Sequence, residues 1–107
     1  MTGITYSAAG ARLSYVFAMR GPCIVFDTAC SSSLVAMHVP RRCMQSSECA
    51  LALAIAPNAL LHPGAHAGPA LTGLTSIRGR CHTFDARADG YLRGEACGAV
   101  VLDSARP

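Results

Sequence analysis

GPCIVFDTACSSSLVAMH, residues 21–38, carries the strongest structural signal in the chain. Residues 23–26 form a short apolar run rich in β-branched and aromatic side chains, which predicts a buried strand. Small polar residues at 27–33 predict a turn, in which the serines are typical helix N-caps. The residues that follow predict a helix ending near Pro40, because an interior proline removes a backbone hydrogen bond.

Cys30 lies in this turn, at the start of the predicted helix. Backbone N–H groups and the positive end of the helix dipole favour a thiolate there, and the same amides can stabilise an oxyanion. Small neighbouring side chains leave room for an acyl chain on a carrier arm. The residues themselves leave two interpretations open: Cys30 is a catalytic nucleophile, or it is simply a small residue at a tight helix entrance.

Elements on either side of this block suggest the fold class. Residues 8–19 repeat apolar side chains at helical spacing until a Gly-Pro pair stops the pattern. Residues 49–56, CALALAIA, predict a buried strand, which their length favours over a helix. Residues 57–73 predict an irregular connection with one helical turn, and residues 97–102 predict another buried strand. Strands alternating with helices indicate an α/β fold.

Composition narrows the class of protein. The 107 residues suffice for one domain, and 51% of them are hydrophobic. Only 14% are charged, against roughly 25% in an average domain, so we expect apolar surface meant for another segment or subunit. The net charge of +3 comes from nine scattered arginines without lysine. Because the arginines form no basic cluster, the sequence does not predict nucleic-acid binding.

Targeting and cysteine patterns predict a soluble intracellular protein, in the cytoplasm or a plastid. The sequence has no signal-peptide pattern and no apolar run of the roughly 20 residues that span a membrane. Its six cysteines are therefore expected to be reduced thiols. A small redox or metal site is a weaker alternative, because no C-x-x-C accompanies His62 and His66. The cysteines other than Cys30 are expected to be buried: Cys23, Cys43, Cys49, Cys81 and Cys97.

Two blocks carry a resemblance to a known family. DTACSSSL, residues 27–34, preceded by GP and followed by VAMH, resembles the active-site motif of β-ketoacyl synthases in type I polyketide synthases. GRCHTFDARADGYLRGEACGAVVL, residues 79–102, resembles a second motif of that family. Residues 48–54 are similar to the strand after the nucleophile helix, and residues 11–22 to the helix and turn before the nucleophile strand. The resemblance covers most of the chain.

The resemblance implies a partial thiolase-like α/β fold, one half of a duplicated αβαβα layered architecture, with residues 1–107 forming part of a β-ketoacyl synthase domain. It implies that Cys30 accepts an acyl group from a phosphopantetheine thioester, with its own amide as an oxyanion donor. A decarboxylative Claisen condensation with a malonyl-type extender would follow, as in polyketide and fatty-acid biosynthesis. No cofactor is expected to be permanently bound, and no cofactor-binding or metal-binding residue is assigned.

The implied partners are an acyl carrier protein, the remainder of a synthase, and a second copy that joins through the nucleophile-strand region. The family's two catalytic histidines and its lysine have no counterpart, so we expect the fragment to be incomplete or inactive. No catalytic role is assigned to the four histidines of this chain: His38, His62, His66 and His82. The alternative function is a non-catalytic, ketosynthase-like dimerisation or interaction module.

The chain also departs from the family's motifs at single positions. Ala56 and Pro57 replace a Gly-Gly pair of the family, and Ala96 replaces a glycine, which predicts strain if that backbone needs positive φ. The acidic residues of the second block are not expected to form a metal site. Asp85 and Asp89 are predicted to form turns, and an ion pair of Glu95 with Arg93 or Arg87 is left open.

Overall fold

The computed structural model describes residues 5–104. From α2 onwards helices and strands alternate along this range, as is typical of an α/β fold. The chain divides into two compact units, of which the described parts are residues 5–56 with 98–104, and residues 57–97. In chain order the elements are α1 (Tyr6–Val16), a 3₁₀ turn (Ala29–Ser31), α2 (Ser32–Gln45), β1 (Leu51–Asn58), α3 (Gly64–Leu71) and β2 (Ala96–Asp103).

Strands β1 and β2 pair with each other in a two-stranded sheet. The amide of Ser104, just after β2, donates to the carbonyl of Ala50, just before β1, at 2.9 Å. The end of one strand therefore meets the start of the other, and the pair is antiparallel. Both strands agree with the predictions from residues 49–56 and 97–102, with boundaries shifted by no more than two residues.

The predicted strand at residues 23–26 is not formed. This segment has no regular secondary structure, and within residues 5–104 its backbone makes no backbone hydrogen bond. A strand needs a neighbour to satisfy its backbone groups, and a favourable composition alone does not supply one. The segment lies close to α1. A β-carbon added to Gly10 of that helix would stand 2.8 Å from Val25 Cγ2 and 3.2 Å from Cys23 Sγ.

Helix α2 extends past Pro40 to Gln45, so the prediction that it ends near the proline is wrong. Its last turn is secured by Ser46, whose amide donates to the Arg42 carbonyl at 3.0 Å. The Ser46 hydroxyl also lies 3.1 Å from the carbonyl oxygens of both Arg42 and Cys43. Bonds beyond the proline thus offset the one that it removes.

The remaining helices differ from prediction in opposite ways. Helix α1 begins within two residues of its predicted start. It ends earlier than predicted, at Val16, and Phe17 is its C-cap. Helix α3 spans eight residues, more than the single turn predicted for residues 57–73, and it includes Pro69. No helix within residues 5–104 is long and apolar enough to cross a membrane.

Burial is lower than the apolar sequence predicts. Among the described residues, Ala54 of β1 is the one buried hydrophobic side chain, at 7% exposure, and in β2 every residue except Leu102 is exposed. All six cysteines are free of disulfide bonds in the structure. The prediction that five of them are buried is wrong, because the sheet and helices leave these faces uncovered: Cys23, Cys81 and Cys97 are exposed, and Cys43 and Cys49 are half-buried.

Candidate active site

Cys30 is the middle residue of the 3₁₀ turn that leads directly into α2. Its side chain is exposed, as expected for a thiol that reacts with an external partner. The preceding residue, Ala29, has φ +55°, a left-handed conformation that costs a residue with a β-carbon about 1–2 kcal/mol. The surrounding contacts must therefore hold this turn in place.

Side chains within the turn bind its backbone on both sides of Cys30. Asp27 Oδ1 accepts a hydrogen bond from the Ala29 amide at 3.2 Å. Ser32 Oγ accepts from the Thr28 amide and donates to the Ala29 carbonyl oxygen, both at 2.8 Å. Ser31 Oγ donates to the Thr28 carbonyl oxygen at 2.9 Å. These hydrogen bonds determine the course of the chain before the nucleophile position.

The serines do not cap α2 as the sequence predicts. The N-cap residue, Ser31, makes no side-chain hydrogen bond to the helix amides, because its hydroxyl faces Thr28 on the preceding turn. The sequence thus predicted that serine hydroxyls bind backbone groups near Cys30. It did not predict that they bind the residues before Cys30 and leave the helix amides after it uncapped. The run of three serines after Cys30 was the available signal, and only the coordinates show that Ser32 contacts the backbone before the cysteine.

The backbone N–H of Cys30 is not engaged by any acceptor among residues 5–104. It lies at the entrance to a helix of 14 residues, where the helix dipole adds positive potential. A free amide beside an exposed thiol is an arrangement that can hold the oxygen of a tetrahedral intermediate formed on the sulfur.

A small apolar cavity of about 160 Å³ lies between α2 and the sheet. Its walls come from the first turns of α2 and from both strands, and one lining residue, Ser33, is polar. The lining residues are Ser33, Ala36, Met37, Ala54, Ile55, Ala56, Gly98 and Val100. The pocket lining is therefore almost entirely apolar, and α2 is held at its start by the turn contacts described above.

In the second sequence block two acidic residues bind separate partners. Asp85 forms an ion pair with Arg87, with Nη2 2.7 Å from Oδ2, and this contact holds the pKa of Asp85 below its usual value. Asp85 Oδ1 also accepts from the Arg87 amide at 2.9 Å. Asp89 accepts from the Ser76 hydroxyl at 2.6 Å and lies 3.8 Å from Arg78 Nε. Asp85 forms a turn as predicted, because its carbonyl accepts from the Ala88 amide at 3.0 Å. Asp89 lies outside any turn, so the turn-forming role predicted for it is wrong.

Glu95 binds a backbone amide. Its Oε1 accepts from the Leu60 N–H at 2.5 Å, and nearby the Asn58 side-chain amide donates to the Gly94 carbonyl oxygen. The ion pair of Glu95 with Arg93 or Arg87 that the sequence left open is not formed among the described residues. Within residues 5–104 no group of three or more His, Cys, Asp or Glu side chains is arranged to hold a metal ion.

The glycine replacements do not strain the backbone. Ala56, Pro57 and Ala96 lie in the strands, and none of them has positive φ. Strain at Ala96 was predicted on the condition of positive φ, and this condition is not met, because extended backbone accommodates any side chain with a β-carbon.

The four histidines differ in exposure and in hydrogen bonding. His62 Nδ1 accepts from the Gly64 amide at 3.0 Å, so in the neutral ring the proton is on Nε2. His82 Nε2 is buried without a hydrogen-bond partner in the described part of the chain, while His38 and His66 are exposed. His38, in the same compact unit as Cys30, makes no hydrogen bond to it among the described residues.

Comparison with known proteins gives consistent matches along the chain. The family model described as "Beta-ketoacyl synthase, N-terminal domain" matches residues 1–107. A phenolphthiocerol/phthiocerol polyketide synthase of Mycobacterium tuberculosis is 48% identical over 101 residues, which cover 94% of this chain and 5% of that protein. The highly reducing polyketide synthase verA of Penicillium polonicum is 45% identical over 101 residues, 94% of this chain and 4% of that one. The chain thus spans about a twentieth of the length of these curated relatives.

Solved structures agree with the sequence matches. A ketosynthase domain for oxazolomycin from Streptomyces albus JA3453, OzmH KS7, superposes with a TM-score of 0.89 at 39% identity, covering 94% of this chain and 18% of that chain. The ketosynthase from module 6 of the bacillaene synthase of Bacillus subtilis 168 superposes with a TM-score of 0.88 at 36% identity, covering 98% and 19%. These likenesses confirm the predicted partial thiolase-like α/β fold.

Proposed function

Because the chain belongs to the β-ketoacyl synthase N-terminal domain family, we propose that Cys30 is the nucleophile of an acyl transfer in polyketide synthesis. The acyl donor in this proposal is a thioester on the phosphopantetheine arm of an acyl carrier protein. Enzymes that form such covalent intermediates divide a difficult condensation into two easier steps.

The proposed loading step is a thioester exchange. The Cys30 thiol loses its proton, and its sulfur attacks the carbonyl carbon of the donor thioester while the carbonyl electrons move to oxygen. The resulting oxyanion accepts a hydrogen bond from the Cys30 N–H. Collapse of this intermediate breaks the donor's carbon–sulfur bond, and the departing phosphopantetheine thiolate takes up a proton, so that the acyl group remains on Cys30.

The observation that carries this proposal is the pairing, in one residue, of an exposed thiol with a backbone N–H that has no acceptor among residues 5–104. Both groups lie where the chain enters α2. An oxyanion donor held by the backbone needs no reorganisation when charge develops, and one such donor contributes about 10²–10³-fold to rate in well-studied enzymes.

The second step of the proposal, attack on the acyl-enzyme by a carbanion from a decarboxylating malonyl-type extender, belongs to the complete domain. The chain spans 18–19% of the solved ketosynthase chains that it matches. We therefore assign the loading step to the residues described above. The complete synthase, acting in the cytoplasm, would supply the carrier protein and the groups that generate the carbanion.

Pairing with a second copy through the nucleophile-strand region is part of the same proposal. Ile24 and Val25, in the segment just before the turn, are 54% and 42% exposed. The backbone of residues 23–26 makes no backbone hydrogen bond within the described chain. Unpaired backbone beside exposed apolar side chains supports a contact with another chain. This surface is also what favours the second candidate function, a non-catalytic interaction module.

Acylation of the protein distinguishes the two functions. The chain is incubated with an acyl-pantetheine thioester, and the acylated residue is located by mass spectrometry of its peptides. We expect one acyl group on Cys30 and none after Cys30→Ala. Cys97→Ala, which removes another exposed thiol, serves as the matched control and should be acylated like the parent chain. Absence of an adduct on Cys30, with the thiol still open to iodoacetamide, would leave the interaction module as the function.

A further inference from the structure

Ser32, the first residue of α2, connects the helix to the two residues that precede Cys30. Its hydroxyl accepts a hydrogen bond from the Thr28 amide and donates one to the Ala29 carbonyl oxygen, each at 2.8 Å. A hydroxyl has one proton, and in Ser32 that proton is given to the Ala29 carbonyl. The backbone N–H of Ser32 donates to the same oxygen, so the orientation of this carbonyl depends in part on a side chain outside the nucleophile itself.

The Ala29 carbonyl matters because it belongs to the same peptide unit as the Cys30 N–H. A peptide unit is planar and its C=O and N–H point in opposite directions. Holding the Ala29 oxygen therefore also sets the direction of the Cys30 N–H. The Ser32 hydroxyl adds a second donor to this oxygen beside the Ser32 N–H. It thereby restrains the tilt of a peptide plane next to Ala29, whose φ of +55° is unfavourable for a residue with a β-carbon.

We propose that Ser32 is a positioning residue, whose hydroxyl holds the Ala29 carbonyl so that the Cys30 N–H points at the oxyanion of the acyl-transfer intermediate. This inference rests on the proposed function of Cys30 and deepens it by naming the side chain that orients its oxyanion donor. Ser32 touches neither the acyl group nor the sulfur in this scheme. Its effect passes entirely through the peptide unit that joins Ala29 to Cys30.

Two reactions of the same thiol separate this role from a general effect on the turn. Acyl transfer from a thioester passes through an oxyanion and needs the Cys30 N–H. Alkylation by iodoacetamide is a direct displacement at carbon, which forms no oxyanion and does not use that donor. Loss of positioning should therefore slow acyl transfer while leaving alkylation near its original rate. A change in thiol exposure or ionisation would alter both rates.

The experiment measures both rate constants at Cys30 in the parent chain and in variants at position 32. For Ser32→Ala we expect the ratio of the acylation rate to the alkylation rate to fall about tenfold or more. This is less than the roughly 10²–10³-fold loss of rate that removal of a whole oxyanion donor causes, because the Cys30 N–H is still present. Ser32→Thr keeps the hydroxyl and should restore the ratio. Ser33→Ala is the matched control, because the Ser33 side chain makes no hydrogen bond within residues 5–104 and the ratio should not change.

Ser32→Thr and Ser32→Val form a second pair of variants, which are nearly the same in shape and differ in the hydroxyl. Helix content measured by circular dichroism checks that each variant is folded. An unchanged ratio in both Ser32→Ala and Ser32→Val would overturn the proposal, as would equal loss of acylation and alkylation. A parent chain that is alkylated at Cys30 but never acylated would instead refute the proposed function itself, and the positioning role with it.

Discussion

Gly90 lies so close to the backbone of Thr75 that a β-carbon at position 90 would stand 2.5 Å from the Thr75 carbonyl carbon. Two hydrogen bonds flank this contact. The Ser76 amide donates to the Tyr91 carbonyl, and the Tyr91 amide donates to the Leu74 carbonyl, both at 3.0 Å. Gly90 also has φ +139°, which favours glycine.

Gly90→Ala should therefore destabilise the chain by about 1–3 kcal/mol from backbone strain, with the backbone clash adding to this. The free energy of unfolding from urea denaturation measures the effect. Gly94→Ala is the matched control, because a β-carbon there meets no atom within 4 Å and Gly94 does not have positive φ. Equal stability of the two variants would contradict the close packing at Gly90.

The ion pair of Asp85 with Arg87 predicts a pH effect. Hydrogen bonds from the Arg87 side chain, then from its backbone, lower the pKa of Asp85 below the ordinary 3.8. A carboxylate with a lowered folded-state pKa stabilises the fold above the unfolded-state pKa and loses that contribution as pH falls through the folded-state pKa. The pair should thus stabilise the chain at neutral pH, begin to lose this contribution as pH falls below about 4, and lose it fully once pH is below the lowered pKa of Asp85.

Carboxyl-carbon chemical shifts followed through an acid titration test this directly. The Asp85 midpoint should lie below 3.8 in the parent chain and move upward in Arg87→Gln. Arg80→Gln removes a neighbouring exposed arginine and should leave the midpoint in place. A midpoint that is the same in Arg87→Gln as in the parent would show that the ion pair does not form in solution.

Cys43 should be a poor nucleophile at neutral pH. Burial raises the pKa of its thiol above the ordinary 9.0, and the nearby negative charge of Glu48, with a hydrogen bond to that side chain, raises it further. Glu48→Gln removes the charge and should lower the Cys43 pKa, so that alkylation at a fixed alkaline pH becomes faster. The residual elevation due to burial should persist.

The pH–rate profile of iodoacetamide labelling at Cys43, read by peptide mass spectrometry, gives the midpoint for each variant. Glu95→Gln neutralises a carboxylate that binds the Leu60 amide and should leave the profile unchanged. A Glu48→Gln profile that coincides with that of the parent would assign the whole pKa shift to burial.

Exposed apolar side chains predict that the chain associates with itself. Ile24, before the nucleophile turn, and Ile77, in the connection after α3, are 54% and 94% exposed. If pairing uses the nucleophile-strand region, Ile24→Asp should lower the association measured by sedimentation at increasing concentration. Ile77→Asp should have little effect, although it replaces the more exposed residue. A sharp, reversible and concentration-independent unfolding transition of a monomer would contradict the expectation of association.

Much of the architecture was predictable from local sequence. The apolar runs at residues 49–56 and 97–102 predicted β1 and β2, because continuous apolar segments of this length are typical of strands. The prediction failed at residues 23–26, although their composition is equally favourable. Strand formation depends on a hydrogen-bonding neighbour, and a neighbour is a property of the fold. Pro40 likewise marked an unfavourable helix position but did not show that later hydrogen bonds would extend α2.

The candidate site was predictable in position and only partly in geometry. The DTACSSSL motif placed Cys30 at the start of a helix, and the structure agrees. The left-handed conformation of Ala29 and the backward contacts of Ser32 were not predictable, since alanine rarely adopts positive φ and a serine near a helix start ordinarily caps the helix.

The sequence by itself determined the family, the strands at residues 49–56 and 97–102, and the position of one cysteine at a helix entrance, because these follow from motif and local periodicity. Only the tertiary structure decided which strands pair, which thiols are exposed, and how the peptide before Cys30 is oriented. Each of these depends on groups that are distant in the chain or on competition between hydrogen-bond partners, and local composition leaves such choices open.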